Sequence, residues 1–237
     1  INSSDYEKAI KDTTVLIAIM WINNETGVIQ NVKELSEKSF EKNIPFFCDG
    51  TQAIGKIPVN MQDNKIGVLP ISAHKFYGPK GVGALYIRRK KPRITISPLI
   101  TGGGQENKLR AGTLNTPGIV GLGEAIELAI DELESNTKRL KIIKDEFKKF
   151  FKQYNAIFNE SKNNTSDHIL NVTIPGIKAN NLIKKTRNLS YSLGSACTSE
   201  TLDPSSVLTA MGVSKENCFC SFRISFSSEI TNDEIEQ

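Results

Sequence analysis

The residues able to do chemistry in this 237-residue chain fall in a few short runs. The densest is Ser72-Ala73-His74-Lys75-Phe76-Tyr77-Gly78-Pro79-Lys80-Gly81-Val82-Gly83. A strand ending at Ser72 would deliver Ser-x-His-Lys into a turn rich in glycine. Glycine lets backbone approach a ligand closely, and Ser and His can both hydrogen-bond a phosphate. A lysine amine held in such a place can condense with a carbonyl carbon. A lone lysine there would simply be solvated, so the reading rests on the whole run. Asp49-Gly50-Thr51-Gln52 directly follows a second apolar run. A carboxylate at a strand end suits a protonated ring nitrogen, although an isolated Asp there is more often a turn former or helix cap. Arg223 stands in the middle of Ser221-Phe222-Arg223-Ile224-Ser225. Its fork fits a carboxylate ligand, and a salt bridge to a nearby acid is the equal alternative. Cys197 lies in Gly194-Ser195-Ala196-Cys197-Thr198-Ser199, where no packing pattern surrounds it. That reads as a mobile loop carrying a reactive thiol, not as a core position.

An α/β scaffold is needed to position these groups. Residues 14–21 form a continuous apolar run, as expected of a strand buried on both faces. Helical spacing follows over 31–42, then strand signals at 45–48, 66–71 and 84–87. Strand-helix-strand order implies parallel pairing, and ligands of such sheets sit beyond the carboxyl ends of strands. Asn24 and Asp49 both lie just past such ends. From Pro117 the texture changes. One long helix is expected over about 118–154, weakened at its start by Gly118, Gly121 and Gly123. Short strands are expected at 169–174, 190–193 and 221–226, with a helix at 204–211 whose first turn holds Pro204. Residues 1–132 therefore read as part of a large α/β domain and 133–237 as a smaller α+β domain.

Composition narrows the function classes. A hydrophobic share of 38%, with 17 glycines besides, is that of a folded chain. A net charge of +4 and no basic arm interleaved with aromatics argue against nucleic acid. The run Arg88-Arg89-Lys90-Lys91 reads as a solvated strand end. No window approaches 18 consecutive apolar residues, which argues against a transmembrane helix. The beginning, INSSDYEK, has neither initiator Met nor signal-peptide character, and ITNDEIEQ reads as the first turns of a helix cut short. A fragment or processed chain is expected. The four cysteines, Cys48, Cys197, Cys218 and Cys220, include no Cys-x-x-Cys pair, so reduced thiols are expected. Cys218 and Cys220 read as plain packing, and in a strand they would share a face.

Six blocks together resemble a known family: Asn23-Asn24-Glu25-Thr26-Gly27, Asp49-x-x-Gln52, Ser72-x-His74-Lys75-x-x-Gly78-Pro79-Lys80-Gly81, Gly102-Gly103-Gly104-Gln105-Glu106, Arg110-Ala111-Gly112-Thr113, and Gly194 to Ser199. In order and approximate spacing they resemble cysteine desulfurases of the NifS/IscS class, class-V aminotransferase-like enzymes that use pyridoxal 5'-phosphate. The resemblance spans essentially the whole chain. It implies a three-layer transferase fold of type I, with a mostly parallel sheet in the large domain. Lys75 would bind the cofactor covalently, Asp49 would pair with its ring nitrogen and Gln52 would bond its ring oxygen. Ser72, Ala73 and His74 would hold the phosphate side, and Thr113 the phosphate of a neighbouring subunit's cofactor, which implies a homodimer. Asn24 would lie near that ring oxygen, and Asn24 and Arg223 would bind the substrate carboxylate. His74 could assist proton transfers. Cys197 would take sulfur from L-cysteine as a persulfide, leaving alanine.

The implied sulfur acceptor is an iron-sulfur scaffold protein or another acceptor such as the tRNA-thiolation machinery, with transient metal contact through the Cys197 persulfide. The loop resembles the long-loop class, not the short-loop SufS-like one. The family's phosphate-binding Thr and ring-stacking His have no counterpart in this chain. Lys108-Leu109-Arg110-Ala111 replaces the usual Gly-x-Arg-Ser, and Ser227-Ser228-Glu229 stands where a Gly-Arg is usual. The competing readings are a selenocysteine lyase, a small-substrate aminotransferase of the same fold, or a catalytically dead module that docks a sulfur-acceptor scaffold. The expected compartment is bacterial cytoplasm, with the mitochondrial matrix as the alternative.

Overall fold

Four short apolar runs build the sheet that carries most of the expected site. The computed structural model describes residues 1–91, 93–162, 164–186, 189–193 and 203–236. One unit comprises Ile1–Trp21 and Gln30–Leu133. Its elements are helix α1 (Ser3–Ala9), strand β1 (Ile17–Met20), helix α2 (Val32–Glu41), strands β2 (Phe46–Asp49), β3 (Val68–Ser72) and β4 (Gly83–Ile87), and helix α3 (Thr116–Asp131). The strand order is β1-β2-β3-β4. The first three run parallel and β4 returns antiparallel to β3. The sheet is thus mixed and mostly parallel, as expected, with α2 in the crossover that parallel pairing requires. The expected two-faced burial of β1 is not met. Ile17 and Ile19 are buried or half-buried on one face, whereas Ala18 and Met20 on the opposite face are exposed.

One of the glycines that weaken α3 as a helix has a packing use. A Cβ on Gly121 would lie 2.7 Å from the Pro79 ring. Ala125 and Ala129 follow at four-residue intervals and approach Gly78 and Gly55 within 3.1 and 2.9 Å of a Cβ built there. This small-residue stripe lets α3 pack closely on the turn after Lys75. The helix is capped by Asn115, whose side chain accepts from the Gly118 amide, with Pro117 in the first turn.

The other unit comprises Ile22–Ile29 and Glu134–Gln237. It holds helix α4 (Leu133–Lys152), strands β5 (Ile157–Phe158) and β6 (Ile169–Thr173), helices α5 (Ala179–Lys185), α6 (Ser206–Ala210) and α7 (Lys215–Phe219), strand β7 (Ser221–Ser225) and helix α8 (Asn232–Glu236). β6 is central in an antiparallel sheet, which makes this unit α+β. Leu140, Ile143, Phe147 and Phe151 recur along one face of α4 and pack with Leu170, Val172, Phe222 and Phe226. Phe147 meets Phe226 edge-on at 5.1 Å and Phe151 meets Phe222 at 5.7 Å.

Several local expectations need correction. The single helix expected over 118–154 breaks at Glu132 into α3 and α4. The small stripe of α3 packs within the first unit and the aromatic stripe of α4 within the second. The strand expected at 190–193 is reduced to a bridge between Ser192 and Arg223. Pro204 lies ahead of α6, whose cap is Ser205. Cys218 sits in α7 and Cys220 caps it, so both pack as expected but not on a strand face. Arg88 is not solvated: its guanidinium donates to the carbonyls of Ile66, Met61 and Asn64 at 2.7, 2.8 and 2.5 Å. It staples the loop before β3 to the end of β4.

Candidate active site

In the first unit the sheet register sets the geometry. Phe47 pairs with Val68 in parallel, and the Gly50 amide donates to the Pro70 carbonyl at 3.1 Å. Asp49 and Ser72 therefore stand at the carboxyl ends of neighbouring parallel strands. That is where open α/β sheets bind ligands. One Asp49 oxygen accepts from the Thr51 amide at 2.9 Å, forming a tight turn. Gln52, in the same turn, accepts from Lys56. Both side chains are half-buried.

Beyond β3 the chain makes a single 3₁₀ turn over Ala73–Lys75. Ala73 is fully buried, and its carbonyl accepts from the amides of both Phe76 and Gly78, at 3.1 and 2.9 Å. The buried ring of Phe76 pins the far side of the turn while His74 and Lys75 stay exposed. Ser72 Oγ and His74 Nδ1 are 2.9 Å apart, so the hydroxyl and imidazole form one polar pair. Gly83, opposite Ser72, admits no side chain: a Cβ would lie 2.5 Å from the Ile71 carbonyl oxygen. Tyr77 takes a left-handed conformation at φ 65, and Gly81 does so at φ 82. Thr113 is exposed in the segment before α3, next to Gly112, whose amide donates to Gln105 at 3.2 Å.

The donor set here is a hydroxyl-imidazole pair, an exposed amine and a strand-end carboxylate. It fits a group bearing a phosphate, an aldehyde and a basic ring nitrogen, as pyridoxal phosphate does. A separate groove of about 550 Å³ in the first unit lacks such a donor set. It is lined by apolar side chains such as Ile57, Leu69 and Ile130, with Tyr86 its sole titratable group. Among the described residues no group of three or more His, Cys, Asp or Glu is gathered to hold a metal ion.

In the second unit Arg223 and Asn24 come together, as expected. Arg223 Nη1 donates to the Asn24 carbonyl at 2.8 Å. Arg223 Nε is buried and has no hydrogen-bond partner. A buried donor of that kind calls for an acceptor, and a carboxylate would supply one. Burial pushes the guanidinium below its ordinary range, and the nearby Glu25 carboxylate opposes the shift. The alternative of a salt bridge is not realised: among the described residues Arg223 forms no direct ion pair with an acid.

A buried network missed by the sequence reading holds this turn. Asn23 Oδ1 accepts from the amides of Glu25 and Thr26, at 3.0 and 2.9 Å. Asn171, 1% exposed and paired across the strands with Arg223, donates to the Glu25 carbonyl at 3.1 Å. Asn159 in turn donates to Asn171 Oδ1 at 2.8 Å. Glu25, 3% exposed, accepts from Ser205 Oγ at 2.6 Å. The one sequence signal was an Asn amid the apolar residues of 169–174. Cys197, its neighbours and any metal contact through it lie outside the described residues. Cys48 is fully buried, and burial beside Asp49 pushes its thiol up to about 12, so it stays a protonated packing group.

Comparison with known proteins agrees with this geometry. The family model for aminotransferase class-V matches residues 1–237. The chain belongs to that family, whose cysteine desulfurase members depend on pyridoxal phosphate. It is 42% identical to the cysteine desulfurase IscS of Neisseria gonorrhoeae over 237 residues, and equally to that of Rickettsia prowazekii over 238. Each match takes in the whole chain and 58% of the relative. The chain thus spans under two thirds of the length of these curated relatives. Among solved structures, a NifS-like protein superposes with a TM-score of 0.89 at 33% identity, covering all of this chain and 62% of that one. SspA in complex with cysteine superposes at 0.80 with 38% identity, over 95% of this chain and 62% of that one.

Proposed function

We propose that the whole protein is a pyridoxal-phosphate-dependent cysteine desulfurase that moves sulfur from L-cysteine to Cys197 and releases L-alanine. The observation that carries the reading is the Ser72-Ala73-His74-Lys75 turn at the carboxyl end of β3, in a chain 42% identical throughout to cysteine desulfurases. When bound, pyridoxal phosphate supplies an electron sink for the carbon left by sulfur. Ser72 and His74 would hold phosphate oxygens, with the Ala73 backbone setting their spacing, and Lys75 would be the covalent attachment point. The Lys75 amine would also carry a proton to or from the substrate carbon, a task His74 could share. Asp49 would face a ring nitrogen and Gln52 would donate to a ring oxygen.

Arg223 and Asn24 orient the substrate carboxylate. The Cys197 thiolate attacks the substrate sulfur. A sulfur-sulfur bond forms and the carbon-sulfur bond breaks with its electron pair left on carbon. A proton then completes alanine, and the persulfide passes to an acceptor protein, with iron-sulfur assembly as its natural use. Thr113 reaching a neighbouring subunit's phosphate makes the working unit a homodimer, and the bacterial cytoplasm suits a reduced thiol. The test is alanine release from L-cysteine by the whole protein and by its Cys197→Ser variant. Wild type should turn over, while Cys197→Ser should bind cofactor and substrate yet release no alanine. Undiminished release by the variant points to a lyase or aminotransferase instead.

A further inference from the structure

Arg223 and Glu25 form an unusual arrangement for a carboxylate site. The guanidinium is held by a neutral carbonyl, that of Asn24, while the next residue along the chain, Glu25, brings a buried carboxylate into the same cluster. Glu25 does not pair with Arg223. Its Oε2 accepts from Ser205 Oγ at 2.6 Å, and its backbone carbonyl is fixed by Asn171. The Arg223 backbone is fixed in turn: its amide donates to the Ser192 carbonyl at 2.7 Å and its carbonyl accepts from the Ser192 amide at 3.0 Å. Two opposite charges thus share one buried cluster without a direct ion pair. Charges so placed still act through space, more strongly than at an open surface.

We propose that Glu25 is a positioning residue for the substrate-carboxylate site: held by Ser205, its buried carboxylate tempers the charge of Arg223 and limits how tightly a carboxylate is gripped. The consequence is kinetic. Substrate L-cysteine and product L-alanine carry the same carboxylate, so an untempered arginine would hold both and slow product release. This rests on the reading of Arg223 as the carboxylate clamp.

The experiment measures binding of L-alanine and of L-alaninamide, which lacks the carboxylate charge, to the whole cofactor-loaded protein through the change in cofactor absorbance. KM and kcat for L-cysteine are measured alongside. Glu25→Gln keeps an acceptor for Ser205 and removes the charge. It should tighten L-alanine about fivefold and lower KM similarly, with L-alaninamide unchanged. Glu25→Met, close in size and also uncharged, carries the same expectation should the Gln variant fold poorly. A merely structural role would weaken both ligands alike. Arg223→Gln tests the underlying reading and should weaken L-alanine at least about tenfold while sparing L-alaninamide. If Arg223→Gln leaves L-alanine binding unchanged, the clamp reading and the proposal fall together. If it weakens binding but the Glu25 variants do not tighten it, the clamp stands and the proposal alone is overturned.

Discussion

The two units hold their candidate residues by opposite means. In the first, backbone does the positioning. Asp49 and Ser72 are placed by parallel strand register, and the lysine turn closes on two amides donating to the Ala73 carbonyl. The side chains that would meet a ligand there are exposed or half-buried, with few bonds of their own. In the second, side chains do the positioning. Asn24 and Arg223 rest on Asn23, Asn171, Asn159 and Ser205, most of them buried. A backbone-built site tolerates loss of a neighbouring side chain but not a change in chain path. A network-built site is sensitive to each polar partner, because a buried group left unpaired costs its full desolvation.

The largest expected effect isolates the first unit's single irreplaceable group. Lys75→Ala should lower alanine release at least about 10³-fold, and borohydride should no longer attach cofactor to the chain. Retained attachment at Lys80 would move the site along the turn. Next, the two modes of support can be set against each other. Asn171→Leu strands the Glu25 carbonyl and the Asn159 amide, and should cost about 3 kcal/mol in urea unfolding while raising KM for L-cysteine. Ser72→Ala, an equally small change at the strand end, should cost under about 1 kcal/mol of stability and show instead as weaker cofactor binding. Equal stability losses from the two would erase the distinction.

Chain path in the first unit is tested by Gly83→Ala, whose methyl would press on the Ile71 carbonyl opposite Ser72. A loss of about 1–3 kcal/mol is expected, with cofactor affinity falling too. The last effect is confined to alkaline pH and vanishes near neutrality. The Cys48 thiol is held at about 12 in the folded chain against 9.0 as its ordinary value, chiefly by burial and secondly by Asp49. The folded state then keeps a proton that the unfolded state releases. Stability from this group is complete below pH 9 and is lost between pH 9 and about 12, with a slope approaching about 1.4 kcal/mol per pH unit. Cys48→Ala should flatten that alkaline decline in unfolding midpoints, and intact protein should resist alkylation at Cys48 at pH 8.

How much was legible follows from the same contrast. The strand-end residues were readable because local sequence encodes them: apolar runs stop at Asp49 and Ser72, and glycines mark the turn that follows. Helix α3 was readable in place but not in extent. The break at Glu132 had no local signal, and the helix's Gly121, Ala125 and Ala129 answer to Pro79, Gly78 and Gly55. The second unit's support was scarcely visible. Its partners come from positions 23–26, 159, 171 and 205, and no local rule joins an Asn in an apolar strand to a turn about 150 residues earlier.

The sequence by itself determined the α/β character, the family and the lysine turn, because these rest on local propensity and on motifs that survive in order. Tertiary structure alone decided that residues 22–29 belong with the second unit, that Arg88 is a staple, and that Glu25 is buried and bonded to Ser205. The reason is physical. Desolvation and hydrogen-bond satisfaction depend on what surrounds a group in space, and chain distance does not record that.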